Sequence, residues 1–153
     1  VSEAALYRHF SSKAQMFEGL IEFIEQTVFS LVNKIQAEEQ DAMKQVEATV
    51  ATLLGFAQKN PGMTRVLIGD ALVNEDERLQ ARVNQLLDRL EASLRQSTRL
   101  AIAAGAFPAD WDANAYANAV IAFVIGRWHQ FAKSGFKRAP MEGWSQQWRV
   151  LSH

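Results

Sequence analysis

Val1-Ser2-Glu3-Ala4-Ala5-Leu6-Tyr7-Arg8-His9-Phe10-Ser11-Ser12-Lys13 opens the chain, and its spacing predicts a short helix, a two-residue break and the start of a second helix. Ser2 is placed to cap the first helix, with Glu3 at its positive end. Val1 and Leu6 can close across that cap as a hydrophobic staple, and Leu6 and Phe10, four apart, share one apolar face. Ala4, Ala5, Tyr7, Arg8 and His9 then point elsewhere. Small side chains toward the front permit close approach to base edges, while Tyr7, Arg8, His9 and, across the break, Lys13 can reach phosphates. These residues fit a helix that enters a DNA groove. They also fit a short amphipathic surface helix with no such role, and spacing alone does not choose.

The whole chain has 153 residues, enough for one domain with a good core, and is 48% hydrophobic and 22% charged. A net charge of -1 excludes a global basic field, so any DNA contact must come from a local patch, and near the start only Arg8, His9 and Lys13 supply one. The absence of cysteine excludes disulfides, thiolate metal sites and cysteine nucleophiles, and fits a reducing cytosol. No signal peptide is visible, and the longest uncharged stretch, Ala113 to Gly126, is too short and too rich in Asn and Ala to span a membrane.

Every segment reads as helix; no period-2 strand pattern is convincing. Ser12-Lys13-Ala14-Gln15 forms a capping box for a long helix ending near Glu38, with Phe17, Leu20, Ile21, Ile24, Val28, Leu31 and Ile35 as its apolar stripe. Phe23 falls about 110 degrees from the centre of that stripe, and is either packed by a flanking element or exposed. A second helix, about Ala42 to Lys59, turns Val46, Val50, Leu53, Leu54 and Ala57 inward. Gly55 inside it is a local cost that often marks close approach of another backbone. Asn60 is placed to cap a short helix that starts at Pro61. Asn74-Glu75-Asp76-Glu77 reads as the capping box of a helix reaching about Ala104, with Leu79, Val83, Leu86, Leu87, Leu90 and Leu94 on one face. Arg82, Asp88, Arg89, Glu91 and Arg95 form its solvated opposite face.

After a loop over 105–110, Asp112 caps a helix through about Ser134 that is apolar nearly all round, carrying Tyr116, Val120, Ile121, Phe123, Val124, Ile125, Trp128 and Phe131. A last helix, about Met141 to Leu151, adds Trp144 and Trp148. A helix apolar on every side is buried on every side. The surplus surface predicts a two-fold dimer built as a four-helix bundle, with Phe123, Trp128, Phe131, Trp144 and Trp148 at the interface. The alternative is that both helices only close the protomer's own core; the scarcity of large exposed apolar patches on monomers favours the dimer.

No catalytic residues and no metal ligands emerge. His9, His129 and His153 are scattered, no glycine-rich phosphate loop is present, and the carboxylate pairs lie at helix ends where capping or solvation explains them. The chain reads as a non-enzyme without a cofactor.

Ser2 to Phe10 followed by Ser12-Lys13 resembles the recognition helix and the start of the next helix in the TetR family of transcriptional regulators, with Tyr7, Phe10 and Lys13 in place and Ser11 where Pro is common. Met16-Phe17 with Leu20 to Glu25, Asn60-Pro61-Gly62 with Thr64-Arg65, Gly69 with Ala71-Leu72, Arg78-Leu79-Gln80 with Arg82, Asn84-Gln85-Leu86 and Arg89, and then Gly126-Arg127, Gln130-Phe131, Ser134 and Phe136-Lys137 are similar to the nucleoid occlusion branch of that family. The resemblance is dense to Gln96 and patchier beyond, and the loop around Gly105 to Trp111 departs from it.

This resemblance implies an all-α, TetR-like helical bundle. Residues 1–11 would be the remnant of a truncated helix-turn-helix, and residues 12–153 a C-terminal regulatory and dimerisation domain. It implies a homodimer on palindromic DNA, held through Ser2, Ala4, Ala5, Tyr7, Arg8, His9 and Lys13. On DNA the dimer would antagonise assembly of the tubulin-like division GTPase FtsZ, so that no septum forms over the chromosome. Its location would be cytoplasmic and nucleoid-associated, with no membrane and no small-molecule ligand required. Phe23, Gly55, Lys59 and Asn60 match the FtsZ-binding surface of that branch. Lys59 stands where Arg is common, and Leu31 and Thr52 stand where relatives carry Arg and Leu. The alternative is a conventional repressor released by a small ligand, which needs a roomy cavity among the helices. Residues 1–153 alone are expected to bind DNA poorly, since the helices that brace a recognition helix would precede Val1.

Overall fold

The computed structural model describes residues 12–153. Ser12 is extended and its Oγ accepts from Gln15 N at 3.2 Å, which starts α1, Lys13–Glu38. Asp41 accepts from the N–H groups of Met43 and Lys44 and starts α2, Ala42–Lys59. Pro61 occupies the first turn of α3, Pro61–Leu67, where its missing N–H costs nothing. A 3-10 turn, Asp70–Leu72, follows. Gly69 before it has φ of 87°, a left-handed backbone that favours glycine; a Cβ there would meet only the movable end of the Gln80 side chain, at 2.9 Å. Two long helices and a short one remain: α4, Glu77–Ala103; α5, Ala113–Lys133; and the short α6, Trp144–Leu151. No strand occurs among the described residues.

The core lies where α1, α2, α4 and α5 converge, and α5 packs most extensively on α4. Leu20, Ile21, Val46, Val50, Leu54, Leu86, Leu90 and Val120 are sealed in it. A buried polar link joins α4 to α2 through this core: Ser97 Oγ donates to Gln45 Oε1 at 2.9 Å, and Gln45 Nε2 donates to the Glu39 carbonyl at 2.6 Å.

Several expectations from sequence change. Along α1 the buried set is Phe17, Leu20, Ile21, Ile24, Val28, Phe29 and Val32; Leu31 is 42% exposed and Ile35 half-buried. The C-terminal half of α1 turns its inner face toward α4, where Arg89 lies 3.7 Å from the Phe29 ring centroid and Gln36 donates to Ser93 O. Arg89 and Arg82, which pairs with Glu25, are thus contacts between helices as well as solvated charges. The cap of α4 is Asp76, which accepts from Arg78 N at 2.9 Å, because Asn74 sits in a left-handed turn with φ of 67° two residues earlier. The loop after α4 is structured by packing. Phe107 stacks on Trp111 with centroids 4.8 Å apart and planes 7° apart, and meets Tyr116 at 5.0 Å.

α5 is not buried all round. Tyr116, Ala117, Val120, Ile121, Val124, Arg127, Trp128 and Phe131 face inward, while Ala115, Asn118, Ala119, Ala122 and Gly126 form an exposed face of small and polar residues. Two of the expected interface residues are therefore interior. Trp128 is 1% exposed and donates its indole N–H to the Leu53 carbonyl at 3.0 Å, and Phe131 is 4% exposed and packs edge-on against Phe136. Trp144 is also buried, between Phe123 and Trp148, which are both half-buried.

The α5–α6 hairpin is fastened at both ends. The Arg127 guanidinium, buried without a carboxylate, donates to the carbonyls of Ala139, Pro140 and Glu142. At the other end Tyr116 Oη donates to Leu151 O at 2.6 Å. The turn between them, with Gly143 at φ of 71°, delays the start of α6 from the expected 141 to Trp144.

Candidate functional site

Two helices that run antiparallel leave a groove where their outer flanks diverge. Phe23, Thr27 and Leu31, spaced by four on α1, form one wall; Ala51, Thr52, Gly55, Phe56 and Lys59 on α2 form the other, and Asn60 closes the end. The groove holds about 580 Å³ and opens on the surface between α1 and α2. Phe23 is half-buried, resting against the core while lining the groove, which resolves its position off the α1 stripe.

Gly55 is not a point of close approach. A Cβ built there meets nothing within 4 Å, so the missing side chain leaves room in the groove and serves no packing contact. Asn60 does not cap α3 with its side chain; its Nδ2 donates backward to the Phe56 carbonyl at 2.8 Å. The C-terminal turns of α2 are thus finished by side chains from three places: Trp128 on Leu53 O, Asn60 on Phe56 O, and Thr64 Oγ1 on Ala57 O at 3.0 Å. That fixes the rim that carries exposed Lys59. Lys59 is the sole charged residue lining the groove, so the site presents apolar walls, two threonines and one cation. An apolar trough between helices with a cation at its end suits a peptide segment bearing apolar side chains and a carboxylate.

All four residues expected from sequence to act together, Phe23, Gly55, Lys59 and Asn60, line this one groove, and so do the two departures, Leu31 and Thr52. Sequence reasoning missed Thr27, Ala51 and Phe56. For Thr27 the signal was the Phe23-Thr27-Leu31 spacing, a second stripe on α1 too weakly apolar to stand out; Ala51 and Phe56, on α2, flank Gly55 and carried no such signal. Of the expected DNA contacts, Ser2, Ala4, Ala5, Tyr7, Arg8 and His9 lie outside the described residues. Lys13 is described: it is the first residue of α1, and its Nζ lies 2.9 Å from Glu75 Oε2. Among the described residues no three or more His, Asp or Glu side chains are grouped to hold a metal ion, and no helix is long and apolar enough to cross a membrane.

The family model described as a tetracyclin repressor-like C-terminal domain, of the SlmA-like type, matches residues 40–153. The chain is 49% identical over 151 residues to the nucleoid occlusion factor SlmA of Alteromonas mediterranea, covering 99% of this chain and 77% of that protein. It is 50% identical to SlmA of a Marinomonas species over 153 residues, and 46% identical to SlmA of Shewanella oneidensis, at 77% and 78% of their lengths. The fold matches the transcriptional regulator FadR of Bacillus subtilis, solved in complex with stearoyl-CoA, at a TM-score of 0.73 with 12% identity over 99% of this chain and 81% of that one. FadR of Bacillus halodurans matches at 0.75 with 14% identity and the same coverage. With such identity along nearly its whole length, and a tetracycline repressor-like fold to match, the chain belongs to the SlmA nucleoid occlusion factors.

Proposed function

We propose that this protein is a sequence-specific DNA-binding dimer that, on palindromic sites, antagonises FtsZ assembly and so blocks septation over the nucleoid. FtsZ docks in the α1–α2 groove. The observation that carries this reading is the convergence of Phe23, Gly55, Lys59 and Asn60, separate in sequence, on one groove with an open floor and a single cation. DNA contact falls to Ser2, Ala4, Ala5, Tyr7, Arg8, His9 and Lys13, which seats the protein on the nucleoid in the cytoplasm. Dimerisation falls to the exposed face of α5 with Phe123, Trp148 and α6.

The test is sedimentation of FtsZ with GTP, with and without the full-length protein and a cognate palindromic duplex. The polymer pellet is expected to shrink when protein and duplex are both present, and Lys59→Glu to restore it while leaving DNA affinity unchanged. A pellet unchanged by the wild-type complex sinks the reading. A repressor released by a small ligand would need a chamber inside the bundle. The interior is filled instead by Leu20, Ile21, Leu54, Leu86, Leu90 and Trp128, each no more than 1% exposed, which supports the partner-binding reading.

A further inference from the structure

Lys13 and Glu75 are unequal partners. Their 2.9 Å ion pair joins a lysine side chain that is 68% exposed to a glutamate side chain that is only 17% exposed. Glu75 is held in place by its loop: its N–H donates to the Leu72 carbonyl, and the preceding Asn74 is in the left-handed conformation. The same loop region is fastened to α5 by the ion pair of Asp70 with Lys133. Lys13, by contrast, stands in the first turn of α1, where the helix dipole disfavours a cation and favours an anion. Its ammonium also lies 5.9 Å from the centroid of the Phe17 ring one turn on, a weak contact beside a negative partner. Glu75 is that partner in the free protein, and a DNA phosphate is chemically the same kind of partner, an anionic oxygen for one ammonium.

Resting on the DNA-binding reading above, we propose that Glu75 is a positioning residue that sets DNA affinity by competing with the phosphate backbone for Lys13. Off DNA the carboxylate holds the ammonium against the loop between the 3-10 turn and α4. On DNA the ammonium turns to a phosphate, and the loop loses its tie to α1. Occupancy at the DNA end is thereby reported to the loop that joins α3 to α4, one short helix away from Asn60 and the groove.

The experiment measures binding of the full-length protein to a palindromic duplex by fluorescence anisotropy, at fixed and at stepped salt. It compares wild type, Glu75→Gln, Lys13→Ala and the double variant, with matched thermal melting to show that all four fold. Glu75→Gln is expected to tighten binding about three- to tenfold where Lys13 is present and to change nothing where it is Ala. Lys13→Ala is expected to flatten the salt dependence by up to about one unit of slope, as the loss of one phosphate contact requires, in either Glu75 background. Equal tightening in both backgrounds means general repulsion between Glu75 and DNA and overturns the proposal. Weakening by Glu75→Gln means that Glu75 aims Lys13 at the phosphate, and overturns it as well. Failure of the wild type to prefer any palindrome over random duplex removes the DNA reading itself, a result distinct from either of these.

Discussion

A methyl group added at Gly55 meets no atom within 4 Å, and the residue lies inside α2. Gly55→Ala is therefore expected to stabilise the fold by about 0.5–1 kcal/mol through helix propensity, seen as a higher urea midpoint. Gly55→Leu should keep that stability yet fill the groove, so that FtsZ pelleting is no longer reduced. A glycine kept for packing would give the opposite pair of results. Arg127 presents the reverse situation, a buried cation with backbone carbonyls as its partners. Arg127→Met keeps the apolar stem but leaves those carbonyls unpaired, and is expected to cost roughly 2–3 kcal/mol in chemical denaturation. Neither role was legible in the sequence. The spacing marked Gly55 as a point of close backbone approach, which the structure overturns, and Arg127 entered only through the family resemblance, because what lies around each is set by segments distant along the chain.

The helices themselves were largely legible, since caps and apolar periods are local. α1 and α2 end where their spacing predicts, at Glu38 and Lys59. What each helix faces was less legible. Leu31 and Ile35 keep the period of the α1 stripe, yet Phe29 and Val32 are buried in their place because α1 leans on α4. For α5 the count of apolar residues suggested burial on all sides, whereas its alanines and Gly126 make a distinct outer face.

The α5–α6 hairpin also carries a pH response. Burial pushes the Tyr116 phenol up from 10.0 to about 12. Well below pH 10 the phenol is protonated in both states and contributes no pH dependence. Between about 10 and 12 the unfolded chain releases that proton while the folded chain keeps it, so stability falls as pH rises. Urea denaturation at pH 8, 10 and 11 is expected to show this fall in the wild type and a smaller one in Tyr116→Phe. The Phe variant should also be less stable at pH 8, for want of the bond to Leu151 O.

At the scale of the whole molecule, the exposed small-residue face of α5 is the surface on which dimerisation can be tested. If two copies join there, Ala119→Arg and Ala122→Arg place charge in the interface without touching the protomer core, since both alanines are exposed. Sedimentation equilibrium is expected to show monomers of unchanged helicity, and binding to a palindrome should weaken far more than binding to one half-site. A dimer that survives both substitutions would place the interface elsewhere.

What the amino-acid order determined alone was the helical class, most helix ends, the inward face of α2 and α4, and the family resemblance, all of which rest on short-range spacing and side-chain chemistry. Tertiary structure decided which residues share a surface. The groove exists because α1 and α2 pack side by side, Trp128 is core because α2 offers it a carbonyl, and Lys13 meets Glu75 because the loop before α4 folds back on α1. Each of these depends on the relative placement of segments tens of residues apart, and local spacing carries no term for that.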